Sequence, residues 1–239
     1  MEEELTKHTK KIYHTIKNPG HSFLEKLIEV AIEIFIIVFA VTLSIWLHNW
    51  SDHRLEQKET EEFLRGLKND LAKDIELLKE NKNAIARVDS GFNFIVALNN
   101  NKAIDTASGK LISDHLNLEA CTTHPNIGRY EGFKSSGKIG TIKNDSLKQS
   151  VLVYYQQTIP NLDDMETLVN AFQMNILNVE VDRNDKMSLA AVAKTHKMRA
   201  LLQLGTQNME GELRAYDEAQ QKAKEIILMI DRQHQHHQD

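Results

Sequence analysis

Residues 27–50 read LIEVAIEIFIIVFAVTLSIWLHNW, with two charges, Glu29 and Glu33, and none from Ile34 to Leu47. At about 1.5 Å rise per residue, a helix from Ile28 to Leu47 would span roughly the ~30 Å hydrocarbon core of a bilayer. Thirteen residues between positions 28 and 47 are Leu, Ile, Phe or Val. Together they favour insertion by roughly 6 kcal/mol, against about 3 kcal/mol for an acidic residue near the centre and less near the rim. Glu29 and Glu33 lie toward one rim, so insertion wins. A buried core helix is the competing reading, since a charge-free run of 14 residues also suits a soluble interior.

The flanks favour the membrane. Trp46 and Trp50 stand one turn apart at the far end, where indole rings prefer the headgroup boundary. A cleaved signal peptide fits poorly, because the apolar run begins after a long polar stretch and no Ala-x-Ala site follows it. Near the helix lie Lys7, Lys10, Lys11, Lys17 and Lys26 on one side and Arg54, Lys58, Arg65 and Lys68 on the other. That balance leans toward a cytoplasmic N-terminus and a periplasmic C-terminal domain, with the chain single-pass in the inner membrane.

The 239-residue chain has a net charge of −5, no dominant basic face, and 26% charged residues with few prolines and glycines. Nucleic acid is therefore not an expected partner, and helices suit the composition better than sheets. Cys121 is the single cysteine, which excludes an intrachain disulfide. It reads as a buried, inert thiol.

The organisation follows as a basic arm over 1–22, a transmembrane helix over 23–50, a helical extramembrane domain over 51–231 and a disordered His-rich tail over 232–239. Leu64, Leu71, Leu78, Ile85 and Phe92 recur every seven residues. Leu67, Ile75, Val88 and Ile95 widen them into one apolar stripe on a helix from about Asp52 to Asn99, which Gly91 could interrupt. Asp74 and Asn81 fall on companion positions of this stripe. They weaken a strict coiled coil and favour an antiparallel bundle closed by later helices.

Those helices are predicted at about 106–118, 129–137, 145–158, 162–179, 188–204 and 207–231. Asn144 and Asp145 supply N-cap types, and Pro160 is expected to end the third helix of the set, 145–158. Leu213, Tyr216, Ala223, Ile227 and Ile230 make the last helix a natural partner for the first stripe. The fold class is all-α.

Two blocks carry a family resemblance. Glu33–Trp50, EIFIIVFAVTLSIWLHNW, is similar to the opening of a family of small bacterial membrane proteins, mainly from Bacteroidota, whose function is unknown. Ser135–Tyr155, SSGKIGTIKNDSLKQSVLVYY, resembles that family's second block through Ser135, Ser136, Gly137, Asn144, Leu147, Tyr154 and Tyr155. The resemblance implies a membrane helix followed by a long charged helix and implies no activity. Here Ala40, Trp46 and His48 replace the glycine, glutamine and first asparagine usual in that family.

Glu29 and Glu33 share a helix face with Ala40 and Ser44. Membrane carboxylates usually face a protein partner or water, and small residues let helices approach closely. This face is the candidate interface for a second copy or a partner membrane protein, with Trp46 and Trp50 as boundary anchors. The alternative is that both carboxylates merely reach the headgroups. A sharper version gives Glu33 a proton to carry within an ion-coupled complex.

No catalytic, cofactor or metal residues are expected. Ser135-Ser136-Gly137-Lys138 has a Ser-x-x-Lys spacing, but its companion motifs are missing and a turn explains it better. His115, Cys121 and His124 lack a fourth ligand. Histidines 234, 236 and 237 read as a solvated end. The sequence thus favours a membrane-anchored scaffold or accessory subunit, or alternatively a single-pass sensor or transducer, over an enzyme.

Overall fold

The computed structural model describes residues 23–101, 104–105, 107–184 and 186–235. The expected arm over 1–22 and the last four residues of the tail lie outside them. The described elements are all helical: α1 (Phe23–Asn100), α2 (Ser108–His115), α3 (Gly128–Ser135), a 3-10 turn (Lys138–Thr141), α4 (Asp145–Val153), a π-helical turn (Tyr154–Thr158), α5 (Ile159–Val181), α6 (Leu189–Ala193) and α7 (His196–Gln235). The class is all-α, with a long first helix and bundle packing, as the periodicity indicates.

The chain divides into two compact units, one ending at Glu59 and the other beginning at Thr60. In the first unit α1 is apolar on nearly all sides from Ile34 to Leu47. Phe35, Val38, Ile45 and Trp46 are each more than half exposed. An 18-residue window reaches a mean hydropathy of 2.6 with 6% of it buried, so this stretch is a candidate membrane span rather than a core helix.

In the second unit the stripe faces inward: Leu64, Leu71, Leu78, Ile85 and Phe92 are all at most 1% exposed. Leu64, Leu67 and Leu71 cluster with Ala223, Ile226 and Ile230, while Phe92 and Ile95 cluster with Met198, Leu202 and Met209. Low numbers on α1 thus meet high numbers on α7, and the two helices run antiparallel. The ion pairs Lys68–Asp231 and Lys82–Asp217, each 2.5 Å, repeat that register two heptads apart on both helices.

Several sequence expectations are corrected. Gly91 does not interrupt α1. It is buried, and a Cβ there would sit 2.1 Å from the backbone oxygen of His115, so the glycine admits the end of α2. Pro160 does not terminate a helix. The chain passes from α4 through the π turn into α5 without a break, and the proline is accommodated in α5's first turn, directly after the π turn.

The predicted break near 205 is likewise absent, and the break falls at Lys194–Thr195, just before α7. Gly205 lies inside α7, where a Cβ would approach the Phe92 ring to 3.2 Å. The glycine makes room for a core aromatic. At the C-terminus, α7 continues to Gln235, past the point where the tail was expected to begin.

Candidate functional site

Leu116–Ile127 contains no helix or strand, yet it is fastened to the bundle interior. The fastening comes from side chains. On α5, Gln173 Nε2 donates to the Glu119 carbonyl at 3.3 Å, and Asn170 Nδ2 donates to the Cys121 carbonyl at 2.7 Å. Asn170 Oδ1 also accepts from the Cys121 N–H at 3.3 Å, so one side-chain amide satisfies both backbone groups of that residue. Glu166 Oε2 accepts from the Thr123 N–H at 2.8 Å, and Glu166 Oε1 accepts from the Thr123 hydroxyl.

The spacing has a simple origin. Residues 173, 170 and 166 fall one turn apart on α5, about 5.4 Å per turn, while 119, 121 and 123 are alternate residues, about 6.6 Å per step in an extended chain. The two periods nearly match, so a polar stripe on a helix can read an extended segment running the opposite way. On α1, Asn81 Nδ2 donates to Thr123 Oγ1 at 2.9 Å, and Asp74 Oδ1 accepts from the Asn126 N–H at 3.0 Å and from its Nδ2 at 2.7 Å. The segment therefore runs antiparallel to both α1 and α5, which run parallel to each other along it.

Asp74 and Asn81 are thus not weak points of a coiled-coil seam. They hold the inserted segment. An isolated buried carboxylate is costly, and the two Asn126 bonds offset part of that cost at Asp74, which is 0% exposed. Burial raises the Asp74 pKa above its ordinary value, with the Asn126 bonds and Asp70 as smaller, opposed influences.

Next to the segment sits an acidic pair. Glu166 is 1% exposed and also accepts from the Tyr216 hydroxyl at 2.6 Å. Glu212, one turn before Tyr216 on α7, is 0% exposed. Neither Glu212 carboxylate oxygen has a hydrogen-bond partner among the described residues. Burial, reinforced by the charge of Glu166, pushes its pKa up to about 8. At neutral pH Glu212 is mostly the neutral acid, which avoids a second charge beside Glu166.

The residues singled out from the sequence are placed as follows. Glu33 is 5% exposed between Ile32 and Ile34, which are 53% and 51% exposed. Ala40 and Ser44 are exposed, and Ser44 Oγ donates to the Ala40 carbonyl at 2.8 Å. The Glu29 side chain lies outside the described residues. Trp46 is exposed, and the Arg54 guanidinium stands 4.3 Å from the Trp50 ring centroid.

The Ser-x-x-Lys spacing forms a helix end. Gly137 adopts a left-handed φ of 74°, and the hydroxyls of Ser135 and Ser136 donate to the carbonyls of Gly132 and Phe133. Cys121 is buried, with burial and nearby Glu212 and Glu119 pushing its thiol up to about 11. That shift opposes thiolate formation. His124 is exposed, and His115 stacks on Phe94 at 4.0 Å between ring centroids. Among the described residues no group of three or more His, Cys, Asp or Glu is arranged to hold a metal ion.

Sequence reading missed Glu166, Asn170, Gln173 and Glu212. A signal was present: Leu162, Val169 and Ile176 repeat every seven residues, and Glu166 and Gln173 occupy the companion inner positions. Among the described residues, one cleft of about 430 Å³ lies beside Asp145, Gln149, Lys222 and Glu225, and another of about 200 Å³ beside Asn99, His196, Arg199 and Gln203. Neither is lined by the buried acids. No curated protein and no solved structure matches the chain. A family model covers residues 33–179, taking in the exposed apolar helix, the inserted segment and the Tyr154–Tyr155 turn, and the chain belongs to that family of unknown function (DUF6090).

Proposed function

We propose that this protein is a membrane-anchored helical scaffold or accessory subunit that acts through protein contacts. One observation carries the reading: the apolar stretch around 27–50 turns its large side chains outward, with Leu27, Phe35, Phe39 and Trp46 each at least 56% exposed. Such a surface is unfavourable in water and favourable in lipid. Two details support it. The hydroxyls of Thr42 and Ser44 donate to carbonyls one turn back, which satisfies them without water, and Trp50 with Arg54 suits a headgroup boundary.

In this reading the helix crosses an inner membrane once, with the arm cytoplasmic and the bundle periplasmic. The face bearing Glu29, Glu33, Ala40 and Ser44 meets a second copy or a partner membrane protein. Small side chains at 40 and 44 admit a close neighbour. Replacing Ala40 and Ser44 together by Leu is expected to abolish crosslinking between anchors in native membranes while leaving membrane association intact. Unaltered crosslinking rejects this interface.

A transducer reading has one observation in its favour. Asp74, Glu166 and Glu212 are buried around a segment that lacks helix or strand, an arrangement that scaffolding alone does not require. Changes in the fastening of that segment with solution conditions would favour transduction.

A further inference from the structure

We propose that Glu212 is the proton-operated catch of the inserted segment: as the neutral acid it lets residues 119–123 seat between α1, α5 and α7, and as the carboxylate it drives them out. This goes beyond the scaffold reading and does not depend on it.

The geometry rests on four features. Glu212 is fully enclosed with both carboxylate oxygens unpartnered among the described residues. A buried carboxylate without a donor is tolerated mainly when protonated. Glu166 on α5, whose charge acts on Glu212, is already engaged by Thr123 and Tyr216, and so has donors that Glu212 lacks. The third feature is the covering element: the Thr123 hydroxyl of the segment lies 3.4 Å from the Tyr216 hydroxyl, one turn from Glu212 on α7, and the Glu212 charge also acts on Cys121.

The fourth is relative strength. The helices are held by their own backbone ladders, whereas the segment depends on side-chain bonds from Gln173, Asn170, Glu166, Asn81 and Asp74. Local opening exposes the least firmly held element first. Releasing the segment would hydrate Glu212 while leaving the bundle helices formed.

The charged groups around the catch come from every packed element. Glu166 faces it from α5, Tyr216 from its own helix, and Cys121 from the segment. From α1, Arg87 acts on Cys121 but is tied to Glu119 at 3.5 Å and is 63% exposed. Asp74 lies at the Asn126 end of the segment. Thus no enclosed cation among these groups neutralises an ionised Glu212.

The folded pKa is raised from the ordinary 4.5 to about 8, so the proton is held in the closed form and lost on opening. The closed form is favoured fully below about pH 4.5, loses ground as pH rises toward 8, and changes little beyond.

The test is amide hydrogen exchange on the full-length chain in detergent micelles from pH 5 to 9, corrected for the intrinsic pH dependence of exchange. In the wild type, protection at residues 119–123 is expected to fall about tenfold per pH unit up to about pH 8 and then level. In Glu212→Gln the slope is expected to disappear at 119–123. In Glu166→Gln, which loses a charged acceptor, protection is expected to be lower throughout while a pH slope remains.

A flat wild-type profile, or an equal slope in Glu212→Gln, overturns the proposal. The infrared carbonyl band of a protonated carboxylic acid gives a second reading that uses the wild type alone. It is expected at pH 7, with loss centred near pH 8. Absence of that band at pH 7 also overturns the proposal.

Discussion

α1 carries two apolar surfaces that solve opposite problems. Before Glu59 its large side chains point outward and a carboxylate, Glu33, is the covered group; after Thr60 its large side chains are covered, and Asp74 is buried among them. The apolar residue types are nearly the same in both stretches. What differs is their angular distribution: all round the helix in the first stretch, and confined to one stripe in the second. A helix that is apolar on every side needs an apolar surrounding, whereas a striped one needs only a partner of matching stripe. α7 supplies that partner in the second unit.

The largest effect comes from placing charge in the first stretch. Ile36→Arg combined with Phe39→Arg adds about 3 kcal/mol per charge near the helix centre and removes about 1 kcal/mol of favourable transfer, roughly 7 kcal/mol in all. That exceeds the roughly 6 kcal/mol supplied by the thirteen apolar residues between 28 and 47. The double variant is expected to leave the carbonate-resistant membrane fraction. Wild-type retention would mean that the exposed apolar surface has a protein covering instead of lipid.

A smaller effect is expected inside the second unit at Gly91. A methyl group there meets a backbone oxygen at 2.1 Å, and backbone yields less readily than the end of a side chain. Gly91→Ala should cost about 1–3 kcal/mol despite the better helix propensity of alanine. Thermal unfolding of the full chain should fall by roughly 2–4 °C per kcal/mol for a domain of this size. A rise in melting temperature would show that α2 can move away freely, and that the bundle end is less tightly packed than its burial indicates.

Legibility from sequence followed the same division. The stripe from Leu64 to Phe92 and the exposed run from Leu27 to Trp50 are both readable, because the one has a helical period and the other an apolar length that suits a membrane span. The fastening of residues 116–127 was not. Asp74 and Asn81 showed that something polar met the stripe, but the partner segment has no period of its own. Asn170 and Glu166 become informative only once the helical turn is matched against alternate residues of that segment. Glycine and proline misled for a related reason: Gly91 and Pro160 read as a break and a stop when they stand alone, and here the end of α2 and the first turn of α5 give them other uses.

The smallest effect separates packing from charge within the antiparallel pair. Lys82 and Asp217 meet at 2.5 Å, with side chains 32% and 63% exposed, so water screens the pair and holding two mobile side chains together costs entropy. A double-mutant cycle with Lys82→Ala and Asp217→Ala is expected to return a coupling below about 1 kcal/mol that diminishes at high salt. The register of α1 against α7 is meanwhile held by the buried residues from Leu64 to Phe92, which salt does not screen. A coupling well above that range, persisting at high salt, would move the origin of the register from the stripe to the ion pair. The contrast between the two stretches of α1 would then no longer be one of apolar distribution alone.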